Sequence, residues 1–155
     1  MSQVTFYILN ENQQDNVSAQ IIQACNLVAF YYQKQTKVFI YTENQEDAFL
    51  VDEYLWQFDG DSFVAHNLMG EGPRFGSPVE ISWMPTTQVR PVLINLSLQA
   101  PEFANNFQQI IDFVPFEETL KMAARKRYST YKKLGHTLST IHVESLNSIN
   151  KIEDK

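Results

Sequence analysis

Lys121, Arg125, Tyr128 and Lys132 follow one another at steps of four, three and four residues. At that spacing they share one face of a helix, because residues three and four apart are neighbours on a helical surface. Three cations around one ring can seat an acidic, partly hydrophobic peptide. Guanidinium and ammonium groups hold carboxylates, and the ring packs against an apolar residue. From spacing alone the solvated basic face is the commoner reading, since charge runs are frequent on helix surfaces. The stretch that holds them, Glu117 to Gly135 (EETLKMAARKRYSTYKKLG), opens on two carboxylates and closes on lysines and a glycine. The macrodipole favours that charge order and glycine accepts a left-handed cap, so the stretch predicts one helix. Leu120, Ala124, Tyr131 and Leu134 recur at roughly helical period and form its expected buried stripe.

Other residue types with catalytic potential do not assemble. His66, His136 and His142 have no histidine or cysteine partner at metal spacing. His66 is expected to be a hydrogen-bonded structural residue, and Cys25 sits on an apolar stripe as a buried thiol. Asp52 and Glu53 are adjacent and splay apart on a helix. A dinucleotide site needs glycines after the first strand. Here that turn, Asn10 to Asp15, has no glycine and two carboxylates. Gly70, Gly72 and Gly76, with Pro73 among them, have the wrong place and spacing. There is no P-loop and no G-x-S-x-G elbow. A small enzyme using His66 and Glu71 in the Asn67–Pro78 loop is the catalytic reading that is left. It lacks an assembled nucleophile, base and orienting group. No catalytic residue, metal or cofactor is expected.

The elements that must position the basic face are those of an α/β domain. Strands are predicted at Val4 to Leu9, Lys37 to Thr42, Val79 to Trp83, Val92 to Leu98 and Gln109 to Val114, with a short one at Phe63 to His66. A helix capped by Ser18 carries Ile21, Ile22, Cys25, Val28, Ala29 and Tyr32 as its apolar stripe. A second helix spans Glu43 to Trp56, and Phe103 to Phe107 reads as a short one. Alternating strands and helices imply right-handed crossovers and a parallel sheet. One domain over 1–138 is expected, followed by a polar, partly disordered tail over 139–155. Trp56, Phe58 and Phe63 bracket the polar turn Asp59 to Ser62. Aromatics so near a turn form either an exposed partner patch or the rim of the core.

Composition narrows the classes further. The chain has 155 residues, 44% hydrophobic and 19% charged, which suits a globular domain. Its net charge is −6. Residues 1 to 116 carry four basic and thirteen acidic side chains, a balance of −9; residues 117 to 135 carry six basic and two acidic, or +4; the rest adds −1. An acidic body opposes a broad nucleic-acid footprint and leaves one local seat for an anionic partner. No apolar run approaches a membrane span, and the first residues show no basic leader, so the cytoplasm is the expected compartment.

Four segments carry a family resemblance: TFYIL (5–9), KVFIYTENQEDAFLVDEYLW (37–56), SFVAHNLMGEGPRFGSPVEISW (62–83) and DFVPFEETLKMAARKRYSTYKKLG (112–135). Together they make the chain resemble the chi subunit family of the bacterial DNA polymerase III holoenzyme, in one register from about residue 4 to 138. The resemblance implies a Rossmann-like three-layer fold with a mainly parallel sheet that has lost nucleotide binding. It implies no enzymatic activity and no cofactor. It implies two protein contacts, one with the psi subunit, which tethers chi to the clamp loader, and one with the acidic, hydrophobic C-terminal tail of single-stranded DNA-binding protein. A helicase competing for the psi surface is implied as well, with DNA met only indirectly, no membrane contact, and work at replication forks in the bacterial cytoplasm. By position, the tail-binding residues fall on Lys121, Arg125 and Tyr128, with Leu138 as an apolar wall, and the psi-facing ones on Trp56 and Phe63. Ser129 stands where the family can carry a lysine, which removes one contact or shifts it to Lys132. Ala65 replaces a proline associated with that position. The competing reading is direct single-stranded DNA binding by the basic helix, with Tyr128 and Tyr131 as stacking rings.

Overall fold

In the computed structural model, residues 2–14, 17–57, 64–69, 77–86 and 89–143 are described. The chain runs β1 (Gln3–Ile8), a small hairpin of β2 (Gln13–Gln14) and β3 (Val17–Ser18), α1 (Ala19–Gln33), β4 (Val38–Thr42), α2 (Gln45–Gln57), β5 (His66–Leu68), β6 (Val79–Ser82) and β7 (Val92–Leu96). A 3-10 helix (Glu102–Asn106), β8 (Gln109–Val114), α3 (Glu118–Lys133) and β9 (Thr137–His142) complete it. Seven strands form one sheet in the order β5-β6-β4-β7-β8-β1-β9, and the pairings between them are parallel.

Both faces of the sheet are covered, which explains why the strands read as continuous apolar runs. Alternate residues serve opposite cores. Tyr7, Val38, Ile40, Val79, Ile81, Val92, Ile94, Ile111 and Phe113 pack with the buried sides of α1 and α2. Val4, Phe6, Phe39, Leu93 and Ile110 point the other way, against Ala104, Phe107 and Tyr131 of the 3-10 helix region and α3. The three-layer α/β architecture with a parallel sheet is therefore present. Ser18 caps α1 as expected, its hydroxyl accepting from the Gln20 N–H.

Helix α3 is fixed at both ends and in the middle. Glu117 caps its start, accepting from the Thr119 and Leu120 N–H groups at 3.1 and 3.0 Å, and those bonds hold its carboxyl below the ordinary value. At the other end the Gly135 N–H donates to the Lys132 carbonyl and the His136 N–H to the Tyr131 carbonyl. That Schellman pattern requires the left-handed residue, and Gly135 supplies it with φ +88°. Between the ends, Asp112 of β8 is wholly buried and accepts from Arg127 Nε, Asn95 Nδ2 and the Tyr131 hydroxyl at 3.0–3.1 Å. Arg127 also donates to the Leu98 and Phe113 carbonyls at 3.0 and 2.9 Å. Burial pushes the Asp112 carboxyl up from its ordinary value, and the Arg127 guanidinium pulls against that rise.

Two expectations change here. The buried stripe of α3 is Ala124, Arg127 and Tyr131. Leu134 is 55% exposed because the helix has ended there, and Arg127, one of the six basic residues of the stretch, is core. The ordered chain also runs past 138. Residues 139–142 belong to β9, which pairs with β1 from Gln3↔Thr137 to Ile8↔His142. Its polar sequence hid it, since an edge strand needs little apolar surface. Residues 144–155 lie outside the described residues.

Removing Arg127 leaves a buried carboxylate without its cation. Arg127→Met should cost about 3–5 kcal/mol in urea unfolding, and adding Asp112→Leu should recover part of that loss. His136 gives a pH signature. The Ser2 N–H donates to its Nδ1 at 3.1 Å, and burial holds its imidazole below the ordinary pKa. The folded state thus binds this proton less readily than the unfolded chain. The stabilisation is complete above a pH of about 6.5 and is lost as pH falls through and below that value. Urea midpoints taken between neutral and mildly acidic pH should fall more steeply for wild type than for His136→Gln.

Candidate functional site

The buried side of α3 determines what the opposite side can offer. With Ala124, Arg127 and Tyr131 facing the sheet, Arg125, Tyr128 and Lys132 are turned outward and exposed. Lys121 is half-buried. Its Nζ lies 3.5 Å from Glu118 Oε1 and 5.6 Å from the centre of the Phe116 ring. A ligand carboxylate at Lys121 must compete with that surface pair, which contributes only about 0–1 kcal/mol.

Tyr128 is 37% exposed, and its ring packs at 5.5 Å on Phe6 of β1. Leu138 of β9 is partly buried against the same cluster, beside Val4 in the sheet register. Tyr128 and Leu138 thus pack on the same apolar cluster, through Phe6 and beside Val4, and Arg125 and Lys132 flank Tyr128 along the helix. Ser129 is exposed next to Tyr128. Tyr131 is different. It is wholly buried and donates to Asp112, so it is no stacking ring for bases, and the direct DNA-binding reading loses one of its two aromatics.

A second exposed feature lies at the other edge of the sheet. Trp56, at the end of α2, is 61% exposed and so does not cap the core. Its ring sits 4.7 Å from that of His66 in β5. His66 has a fully buried side chain. Its Nδ1 lies 2.7 Å from the Val64 carbonyl oxygen, and its Nε2 lies 3.3 Å from Asp52 Oδ1. The histidine is thus a structural bracket under Trp56, as its place beside a strand end suggested. Phe63, the expected companion of Trp56, lies outside the described residues, as does Glu71 of the catalytic alternative.

Other candidate chemistry is occupied by structure. Cys25 is buried, and burial pushes its thiol well up, away from thiolate reactivity. Asp52 faces His66 while Glu53 is exposed, so the adjacent carboxylates do not form a pair. Among the described residues, no group of three His, Cys, Asp or Glu side chains could hold a metal ion, and no helix is long and apolar enough to cross a membrane.

The sequence reading missed Asp112 and Asn95, which position the basic helix without belonging to its face. One signal was present: Arg127 follows Ala124 by three residues and precedes Tyr131 by four, on the buried period.

The fold is shared with distant proteins. The crystal structure of T4 UvsW superposes with a TM-score of 0.60 at 8% identity, covering 92% of this chain and 41% of that one, a likeness of fold alone. Sequence relatives are nearer. The DNA polymerase III subunit chi of Escherichia coli (strain K12) is 41% identical over 143 residues, which cover 90% of this chain and 97% of the relative. That of Haemophilus influenzae is 44% identical over 140 residues, covering 89% and 95%. That of Pseudomonas aeruginosa is 30% identical over 139 residues, covering 89% and 94%. The family described as "DNA polymerase III chi subunit, HolC" matches residues 1–139. On that match and these relatives, the chain belongs to the DNA polymerase III chi subunit family.

Proposed function

We propose that the chain is a non-catalytic adaptor subunit of the DNA polymerase III holoenzyme. It joins the clamp-loader complex, through the psi subunit, to the C-terminal tail of single-stranded DNA-binding protein. It works in the bacterial cytoplasm at replication forks and meets DNA only through that protein. The observation that carries the reading is the outward face of α3, where Arg125 and Lys132 flank the Tyr128 ring and Leu138 lies on the same apolar cluster. Cations beside a half-exposed apolar floor suit a peptide that is acidic and hydrophobic at once.

The division of labour follows from magnitudes. Exposed ion pairs contribute about 0–1 kcal/mol each, while micromolar affinity needs about 8 kcal/mol. Carboxylates on Lys121, Arg125 and Lys132 therefore steer and orient the tail. An apolar side chain packed on Tyr128 and Leu138 supplies the larger share. Salt should weaken the complex without abolishing it. The acidic remainder of the chain repels a continuous phosphate backbone, which favours a short peptide over naked DNA.

We assign the psi contact to the surface around Trp56, with Phe63 as the second residue that the family resemblance names. An exposed tryptophan braced on a buried imidazole is a rigid anchor of the kind that dominates interface energies. A helicase using the same surface would compete with psi.

Fluorescence anisotropy with a labelled peptide of the tail tests the first contact. Wild type should saturate, and Arg125→Ala should weaken binding by about two- to fivefold, the loss of one exposed pair. Unchanged affinity in Arg125→Ala would remove the assignment. For the second contact, co-purification or calorimetry with psi should show that Trp56→Ala loses at least about 2 kcal/mol of binding free energy and keeps its affinity for the tail peptide.

A further inference from the structure

We infer that the acidic peptide is received as an added strand on the outer edge of β9, its backbone hydrogen-bonded to Leu138, Thr140 and His142. This rests on the tail-binding reading and specifies how that site takes its ligand.

Among the described residues no strand pairs with the outer edge of β9, and the edge is unblunted. β9 is the last strand of the sheet and pairs with β1 through six consecutive residues without a bulge. Its sequence, TLSTIH, has no proline, lysine or carboxylate, the usual protections of an exposed edge. The direction of its free groups follows from its bonds. The Thr137 N–H donates to the Ser2 carbonyl and the Val143 N–H to the Ile8 carbonyl, so the odd positions face β1. In a parallel ladder the bonding positions alternate, which turns the backbone N–H and C=O groups of Leu138, Thr140 and His142 outward. Side chains alternate too. Leu138 packs with the α3 cluster, while Ile141 and Val143 pack with the opposite core, so 138, 140 and 142 share the α3 side.

The helix beside this edge offers side chains at a comparable spacing. β8 and β9 both run parallel to β1, so α3 between them runs the other way. Thr140 pairs with Phe6, on which Tyr128 stacks, and this sets the level of the ring. Lys132 then lies about 6 Å along the helix axis on one side and Arg125 about 4.5 Å on the other. Same-side residues of an added strand repeat every 6.6–6.8 Å or so. Alternate side chains of a docked strand would thus fall near Lys132 and Tyr128 and about 2 Å beyond Arg125, a gap its long side chain spans, which suits an acid, an apolar group and an acid. The face carries the positive excess of an otherwise acidic chain, which fixes the sign of the occupant.

The probe is the labelled acidic peptide of the anisotropy titration, with the full chain. Backbone N-methylation at every second peptide residue should divide into two series. One series, blocking donors aimed at β9, should lose at least about tenfold in affinity; the other should bind nearly as the parent does. Binding should also slow amide exchange at Leu138, Thr140 and His142. Thr140→Pro, which an edge position tolerates with its N–H facing outward, should weaken the peptide several-fold where Thr140→Ala does not. If both methylated series bind alike while Arg125→Ala still loses affinity, tail binding stands and strand addition falls. If the three amides are already protected without peptide, residues 144–155 or a second copy hold the edge and the inference fails. If the parent peptide does not bind, both readings fail together.

Discussion

The placement of α3 depends on one buried ion pair. Asp112 and Arg127 are both inside the protein, and neither could stay there alone, because an unpaired charge in the interior costs several kcal/mol. Their mutual geometry leaves little freedom. The guanidinium must reach the carboxylate of β8 and two backbone carbonyls at once, and the Tyr131 hydroxyl must reach the same carboxylate. An apolar contact tolerates a shift along the helix, but this set of directed bonds does not. The pair contributes specificity of register more than net stability.

Everything outward on α3 inherits that register. Arg125 and Arg127 are two residues apart and have opposite fates, one in solvent and one in the core. A helix slipped by one residue would turn either Arg125, Tyr128 and Lys132 or Ala123, Lys126 and Thr130 toward the sheet, and the outward face would be lost or reoriented. The caps complete the constraint, with Glu117 at the start and Gly135 at the end. Because the Gly135 turn leads directly into β9, the apolar wall at Leu138 is placed by the same device that ends the helix. The helix backbone that carries the basic face is therefore fixed in place.

Much of this was legible in the chain. Strands buried on both faces announce themselves as apolar runs, and Ser18, Glu117 and Gly135 mark helix ends by side-chain chemistry that acts locally. The cation spacing gave the face before any fold was known. What escaped depends on non-local partners. Arg127 looks like its basic neighbours until Asp112, fifteen residues away, is placed beneath it. β9 has too little apolar content to read as a strand, and only pairing with β1, at the other end of the chain, makes it one. Tyr131 and Tyr128 differ by three residues and equal chemistry, and only the helix phase separates a core residue from a surface ring.

The strand order has a mechanical consequence. Trp56 stands beside β5 and the cationic face beside β9, the two extremes of the sheet. Six inter-strand spacings of about 4.8 Å separate those edges, roughly 29 Å in all. A covered parallel sheet is stiff across its width, so the domain behaves as a strut of fixed length. Tension applied at one end would load the inter-strand hydrogen bonds together along the direction in which they point.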